Sequence, residues 1–223
     1  MSGEVEELPS SKLGTKEYWD SAYDTELSNY AIDGDIGEIW FGEESLERVI
    51  SWMLESNLVD THSVIIDVGC GNGAFLLYLA AEGFTNLYGI DYSQKAIELA
   101  QAIATKKKVD IKYEQVDLVT GDDGGNTWTR KYDVCHDKGT YDAISLCPED
   151  PQSKRLSYIK SVFHLTKDSG LFVITSCNWT CDELIEHFSD YFFKEHIIPT
   201  PTFMFGGAVF PSTMFQDGWL LPL

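Results

Sequence analysis

The chain has 223 residues and a formal net charge of −20 at pH 7. This length fits one α/β domain, and the sequence has no run of about 18 apolar residues of the kind that spans a membrane. The acidic start, Met1–Glu7, differs from a secretory signal, and so negative a protein repels nucleic-acid phosphates. We therefore expect a soluble, unsecreted protein that binds neither membranes nor nucleic acid, although acidity also aids solubility by itself.

The first segments predict a tail followed by a helical arm. Residues 1–14 are polar and are typical of a mobile tail. From Thr15 to Asn29 the apolar residues recur at helical spacing, and a second helix follows from Glu44 to Leu54. We expect one domain at 15–223, in which residues 15–60 form the arm and residues 61–223 form the core.

The core alternates strands and helices, which is typical of a parallel sheet with right-handed crossovers. The predicted strands lie at 63–68, 86–90, 110–115, 132–136, 171–176 and 191–198, and the predicted helices at 74–82, 93–106, 152–166 and 180–190. A last strand from residues 203–223 has only weak alternation of apolar and polar residues, and residues 121–126 read as a surface loop. The predicted fold is a Rossmann-like α/β domain with a mostly parallel seven-stranded sheet and helices on both faces.

A glycine turn follows the first core strand. The spacing is Gly69-x-Gly71-x-Gly73, with Asp67 two residues earlier, and it lets the backbone bend sharply and present N–H groups at a helix N-terminus. The dinucleotide fingerprint is Gly-x-Gly-x-x-Gly, so this spacing favours another nucleotide cofactor. Asp91 ends the second strand, where a carboxylate accepts hydrogen bonds from both ribose hydroxyls. A glycine turn alone would be an ordinary strand-to-helix connection.

The ends of the later strands are also polar, and ligands of open parallel sheets lie there. Asp117 follows the third strand and is either a ligand contact or a turn-initiating residue. Several ionisable groups crowd the loop His136–Asp142, which is costly unless they are used or solvated. After the fifth strand, Asn178 supplies an amide and Trp179 an indole, although a packed aromatic at a helix entry explains Trp179 equally.

These motifs resemble the class I S-adenosylmethionine-dependent methyltransferases. Over about residues 13–207 the chain is similar to the eEF1A lysine methyltransferase 2 family, with Gly37–Gly42, Asp137–Thr140 and Cys177–Thr180 as the more specific segments. The resemblance implies a protein-lysine N-methyltransferase that acts on elongation factor 1-alpha. It implies S-adenosyl-L-methionine as cofactor, with S-adenosyl-L-homocysteine as product.

The resemblance also implies the site residues. Asp137 would face the methyl donor and the acceptor, and Asn178 and Trp179 would complete the catalytic set with it. Methyl transfer needs a free lone pair, an in-line approach and exclusion of water, so the site must help a lysine ammonium lose its proton. The implied cofactor-binding residues are Trp40, Asp67, Gly69, Cys70, Gly71, Asp91, Tyr92, Asp117, Leu118 and Asp137.

Partners and location follow from charge and cysteines. The acidic surface suits a basic protein substrate, and we expect a monomer. Five cysteines, an odd number, indicate reduced thiols and a cytoplasmic protein, with the nucleus as a second compartment. Cys177 and Cys181 lack a second Cys or His pair, so we expect no metal.

Two alternatives stay open. A small-molecule methyltransferase needs a closed substrate pocket, and the chain has no large lid insertion. A catalytically weakened cofactor-binding protein is suggested by the segment from Ala208, where the sequence departs from the family pattern. We hypothesise that this divergent terminus packs less well than the family's last strand.

Overall fold

The computed structural model describes residues 7–120, 130–199, 202–205, 208–211 and 216–222. The predicted surface loop at 121–126 therefore lies outside the described residues. Within the described ranges, no helix is both long and apolar enough to cross a membrane. The same residues contain no group of three or more His, Cys, Asp or Glu side chains that could hold a metal ion.

Seven α-helices are described, and they follow the predicted order with one addition. Most begin or end within a few residues of the sequence-based bounds, but α5 was not predicted. The bounds are α1 Lys16–Asp33, α2 Gly42–Glu55, α3 Ala74–Ala81, α4 Gln94–Lys107, α5 Thr140–Ser145, α6 Pro151–Leu165 and α7 Cys181–Phe188.

The main sheet has the strand order β3-β2-β1-β4-β5-β9-β6. Its first five strands are neighbours in parallel pairs, whereas β9 runs antiparallel to both β5 and β6. A separate hairpin pairs β7 with β8. The bounds are β1 Val64–Val68, β2 Asn86–Asp91, β3 Lys112–Gln115, β4 Tyr132–Lys138, β5 Thr166–Ser176, β6 Phe192–Ile198, β7 Thr202–Phe205, β8 Ala208–Pro211 and β9 Gln216–Pro222.

Successive strand residues point to opposite sides of the sheet, and helices pack against both faces. On β1, Ile66 and Val68 pack in a cluster with residues of α5, α6 and α7. Ile65 instead packs in a cluster with residues of α2 and α3. A smaller cluster joins α1 to α4, with Tyr23 and Leu99 among its members. The Rossmann-like fold is therefore confirmed, and the carboxyl ends of its parallel strands meet at one edge.

The predicted mobile tail is wrong for residues 7–14. Lys12–Gly14 form a 3₁₀ turn capped by the Ser11 side chain, and Ser11 N donates to the carbonyl oxygen of Leu146 at 3.0 Å. Glu7 accepts hydrogen bonds from both terminal nitrogens of Arg155, at 3.0 and 2.6 Å. These polar residues are held by specific partners in the core, which the composition of the tail does not reveal.

The last strand of the sheet comes late in the chain. Residues 208–211 turn back as β8 in the hairpin, and β9 then inserts between β5 and β6, where Ile174 pairs with Gly218. The segment from Ala208 therefore does contribute a final strand, Gln216–Pro222.

Candidate functional site

A cavity of about 360 Å³ opens at the carboxyl ends of the parallel strands. This volume is within the range of small-molecule sites in proteins. Its walls come from the loops after β1, β2, β3, β4 and β5 together with the N-terminal segment. The predicted site residues that line it are Trp40, Gly69, Cys70, Gly71, Asp91, Tyr92, Asp117, Leu118 and Asn178.

The glycine turn is shaped by close packing on both sides. Gly69, Gly71 and Gly73 have φ angles of 72°, 54° and 76°, which side chains rarely adopt. A Cβ at Gly69 would overlap the hydroxyl of Thr140, and one at Gly71 would overlap the hydroxyl of Tyr23. The turn therefore requires glycine at these positions whatever ligand lies beside it.

The N–H groups of the turn have partners within the protein. Gly69 N and Cys70 N donate to the carbonyl oxygen of Ile90 at 2.8 and 2.9 Å, and Gly71 N donates to Asp91 Oδ2 at 3.0 Å. The sequence predicted that such groups would be presented to a ligand. They bind the turn to the tip of β2 instead, which fixes the position of Asp91.

Asp91 is a buried carboxylate in the cavity wall. It is 5% exposed, and its Oδ1 accepts a hydrogen bond from Ser93 N at 2.9 Å. Burial raises the pKa of Asp91 to about 6, against the opposing effect of the Ser93 and Gly71 N–H donors. Each oxygen accepts one backbone hydrogen bond and keeps lone-pair capacity for a ligand hydroxyl.

Asp117 combines the two roles that the sequence left open. Its Oδ1 accepts hydrogen bonds from Val119 N at 2.9 Å and Thr120 N at 3.2 Å, which is the geometry of a turn-forming aspartate. The same residue lines the cavity beside Leu118, whose side chain is 7% exposed. A carboxylate and an apolar surface therefore lie next to each other at this end.

An aromatic segment closes another side of the cavity. Trp40 packs edge-on against Trp19 with ring centroids 4.9 Å apart. Phe41 has a φ of 67°, unusual for a bulky residue, and a Cβ at Gly139 would lie 2.9 Å from its ring. Lys138 Nζ donates to the carbonyl oxygen of Trp40 at 2.8 Å, and burial lowers the pKa of Lys138. The sequence analysis gave Phe41 no site role, although Gly139 was a signal of close packing there.

Asp137 lies behind the cavity wall rather than in its lining. It is fully buried and absent from the cavity lining. Its oxygens accept hydrogen bonds from Thr140 N at 2.8 Å, from Tyr141 N at 3.0 Å and from the Tyr158 hydroxyl. Burial raises its pKa to about 7, although these donors act in the opposite direction. Its carboxylate anchors the start of α5 in this structure, and a direct contact of Asp137 with donor and acceptor stays a prediction.

Asp67 and Trp179 also lie behind the cavity wall. Asp67 is 4% exposed and its Oδ1 lies 2.7 Å from His136 Nδ1. Trp179 is 3% exposed, and its Nε1 donates to Ser145 Oγ at 3.0 Å. Neither side chain lines the cavity, and Trp179 has the geometry of a packed aromatic at a helix entry. Direct contacts of Asp67 and Trp179 with a ligand stay predictions.

A different carboxylate lines the end of the cavity near Asn178. Asp142 lies on α5 and lines the cavity together with Cys177 and Asn178. Its oxygens accept hydrogen bonds from Ser176 Oγ at 2.5 Å and from Cys177 N at 2.8 Å, while burial raises its pKa. Sequence reasoning missed this role because it did not predict α5, which turns Asp142 toward the cavity.

Comparison with known proteins gives these features a family context. A family described as a methyltransferase domain matches residues 60–211. The chain is 48% identical over 206 residues to the EEF1A lysine methyltransferase 2 of Danio rerio, an alignment that covers 91% of this chain and 85% of that protein. It is 38% identical over 231 residues to the protein-lysine N-methyltransferase efm4 of Schizosaccharomyces pombe, covering 96% and 94% of the two chains.

Solved structures share the architecture at low sequence identity. The N-methyltransferase NodS of Bradyrhizobium japonicum, solved with S-adenosyl-L-homocysteine, gives a TM-score of 0.64 at 16% identity and covers 91% of this chain and 97% of that one. Magnesium protoporphyrin IX methyltransferase of Synechocystis, solved with bound SAM, gives a TM-score of 0.63 at 17% identity and covers 95% and 97%. At such identities the similarity shows a common class I methyltransferase fold.

Proposed function

This chain belongs to the eEF1A lysine methyltransferase 2 family of protein-lysine N-methyltransferases, and we propose that it transfers methyl groups from S-adenosylmethionine to a lysine of elongation factor 1-alpha. The observation that carries the proposal is the glycine turn bound to Asp91 within a cavity of sufficient volume. Relatives named for this activity align over most of both chains.

The cavity fits an adenosyl cofactor. Asp91 has acceptor capacity for two ribose hydroxyls, and Asp117 with Leu118 offers an acceptor and an apolar surface to an adenine ring. The backbone at Gly69 and Gly71 approaches the same space without side chains. When bound, S-adenosylmethionine supplies a methyl group on a sulfonium that is already activated toward a nucleophile.

Four further residues of the cavity wall would bind and position the substrate amine. Asp142 and Asn178 would accept its N–H hydrogen bonds and aim its lone pair, while the proton leaves to water. Trp40 and Phe41 would shield the alkyl stem from bulk water. Lys138 would act by holding the carbonyl oxygen of Trp40, and Asp137 by holding α5 in register.

The electrostatic balance of the chain supports a basic protein substrate. A net charge of −20 attracts a positively charged partner and orients the encounter. We further propose that the protein acts as a monomer in the cytoplasm, with the nucleus as a second compartment, since its five cysteines are free thiols. S-adenosyl-L-homocysteine would be the product that leaves.

A labelling experiment tests the proposal. The purified chain is incubated with methyl-labelled S-adenosylmethionine and either purified elongation factor 1-alpha or a cell lysate, and mass spectrometry locates the label. We expect label on a lysine of that factor. Label on free metabolites alone would identify a small-molecule methyltransferase, and cofactor binding with no product would identify the catalytically weakened alternative.

Two variants divide the roles within this experiment. Asp91→Ala should weaken cofactor binding, whereas Asn178→Ala should lower turnover with cofactor affinity largely kept. Asp110→Ala is the control because Asp110 is exposed and precedes β3, at the end of the sheet opposite the cavity. Equal activity of Asn178→Ala and the unmodified chain would remove Asn178 from the proposed amine contacts.

A further inference from the structure

Cys147 and Lys154 form a close pair in the cavity wall. Cys147 follows α5 and Lys154 lies in the first turns of α6, and Lys154 Nζ donates to Cys147 Sγ at 2.8 Å. Both residues line the cavity, although Cys147 is only 9% exposed. The proposed methyl transfer uses neither side chain, so a nucleophilic group with a cationic partner remains without a role.

Lys154 donates a direct hydrogen bond to this sulfur, whereas the electrostatic effect of Lys194 on Cys181 is outweighed by burial, which raises the pKa of that thiol. An adjacent ammonium stabilises the thiolate, which is the reactive form of cysteine. The interaction also acts on the lysine, because the hydrogen bond with Cys147 raises the pKa of Lys154. In contrast, burial and the carboxylate of Asp142 raise the pKa of Cys177 to about 12, although Cys177 is exposed.

Two further cysteines are shielded mainly by burial. Cys70 and Cys135 are buried, and burial raises the pKa of each thiol. Exposure alone would therefore make Cys177 the most reactive thiol, whereas the local charge favours Cys147. Exposure and local charge therefore predict opposite orders of reactivity for Cys147 and Cys177, and an experiment can distinguish them.

We propose that Cys147 is a site of oxidation by peroxides, activated by Lys154 and reached through the cavity. The thiolate sulfur attacks one peroxide oxygen, so that an S–O bond forms as the O–O bond breaks. The sulfur loses two electrons and becomes a sulfenic acid, while the peroxide is reduced. The hydroxide released takes a proton from the Lys154 ammonium or from solvent and leaves as water.

Oxidation at this position would compete with the cofactor, a consequence that rests on the proposed function. Ser161, on the same helix as Lys154, donates to the carbonyl oxygen of Leu118 at 2.8 Å, so this helix lies beside the end of the cavity where adenine would lie. An added oxygen at Cys147 would change both the shape and the polarity of that wall. Conversely, a bound adenosyl group would shield Cys147.

The first test measures thiol reactivity in the full-length, cofactor-free protein. Limiting iodoacetamide is added near neutral pH, and peptide mass spectrometry gives the alkylation rates of Cys147 and Cys177 in the same molecules. Hydrogen peroxide followed by dimedone then traps sulfenic acid. We expect Cys147 to react at least about tenfold faster than Cys177, because Lys154 donates to the Cys147 sulfur while the raised pKa of Cys177 lowers its thiolate fraction tenfold per pKa unit. An equal or faster rate at Cys177 would overturn the proposal.

Variants of the lysine test the activation. Lys154→Met should slow alkylation of Cys147 about tenfold while the rate of Cys177 stays unchanged, and Lys154→Arg should restore most of the rate because it keeps the charge. Lys160→Met is the matched control, since Lys160 is exposed on the same helix. An unchanged Cys147 rate in folded Lys154→Met protein would refute activation by Lys154.

Adding S-adenosyl-L-homocysteine separates this inference from the proposed function. Binding is measured by calorimetry, and saturating ligand should slow labelling of Cys147 but not that of Cys177. If the ligand binds and Cys147 stays equally reactive, the competition is wrong. If no binding is measured while Cys147 remains reactive, the proposed function fails and the activated thiol stands.

Discussion

Asp91 should make cofactor affinity depend on pH. The ionised carboxylate accepts hydroxyl hydrogen bonds on both oxygens, whereas the protonated form loses part of this capacity. Because burial raises its pKa to about 6, protonation should weaken binding of S-adenosyl-L-homocysteine as pH falls through that value. Calorimetry across this range should show the dissociation constant rising on the acid side.

A variant isolates this effect from other groups that titrate nearby. Asp91→Asn removes the charge, so we expect affinity at neutral pH to fall by about 1.5–3 kcal/mol, the range for a hydrogen bond to a charged group, and to vary little with pH. Asp110→Asn, at an exposed position away from the cavity, should retain the pH profile. A persistent acid loss of affinity in Asp91→Asn would assign the titration to another group.

We expect substitution of Asp137 to lower the free energy of unfolding, because its carboxylate is a buried hydrogen-bond acceptor. Asp137→Ala leaves two backbone N–H groups and the Tyr158 hydroxyl without their buried acceptor, and we expect the free energy of unfolding to fall by about 3 kcal/mol or more. Denaturant titration measures this loss. Tyr158→Phe removes one donor and should cost less. A variant Asp137→Ala with normal stability but no turnover would restore the catalytic role.

These residues also show what sequence patterns reveal about a site. Asp91 and the glycine turn were predictable, because the spacing of the glycines marks the turn and Asp91 marks the end of the second strand. Asp137 and Asp142 both lie near the end of β4, and the pattern could not tell which one faces the ligand. That choice depends on α5, whose six residues are too few to give a helical repeat.

At the scale of elements, the described part of the sheet depends on β9. Because this strand lies between β5 and β6, deleting residues 216–223 would leave one edge of β5 unpaired and separate β6 from the sheet. We expect a large drop in thermal unfolding temperature. Unchanged unfolding of the longer deletion would show that β9 adds no stability.

The same strand bears on the divergent terminus. We expect a chimera that carries a family-like segment from Ala208 onward to unfold at a higher temperature than the intact chain, because the present segment is hypothesised to pack less well. An intact chain that unfolds no earlier than the chimera would contradict this. The sequence alone did not locate β9, since weak alternation gives no register and the antiparallel partners lie far away in the chain.

Elements that meet distant partners were the hardest to predict. The strands β1 and β4 are mostly buried, and each contains a short apolar run, Val64–Ile66 and Val134–Cys135, so the sequence located both within two residues of their bounds. Residues 7–14 have no such pattern, and their order comes from contacts with Arg155 and Leu146 far along the chain. A local pattern of apolar residues predicts a helix or strand only where that segment buries its own apolar side chains, and it does not reveal order that comes from contacts with distant residues.

For the whole molecule, the net charge of −20 should govern the encounter with a basic protein substrate. Salt screens charges over about 8 Å at physiological ionic strength, so added salt should raise KM for elongation factor 1-alpha and leave kcat nearly constant.

Glu43→Gln should also raise KM, because Glu43 is exposed near the cavity-lining Phe41. Asp110→Asn removes the same charge at the opposite end of the sheet and should have a smaller effect. Steady-state kinetics at several ionic strengths distinguish these cases. A KM that is independent of salt would mean that contacts at the cavity, rather than the field of the whole protein, select the substrate.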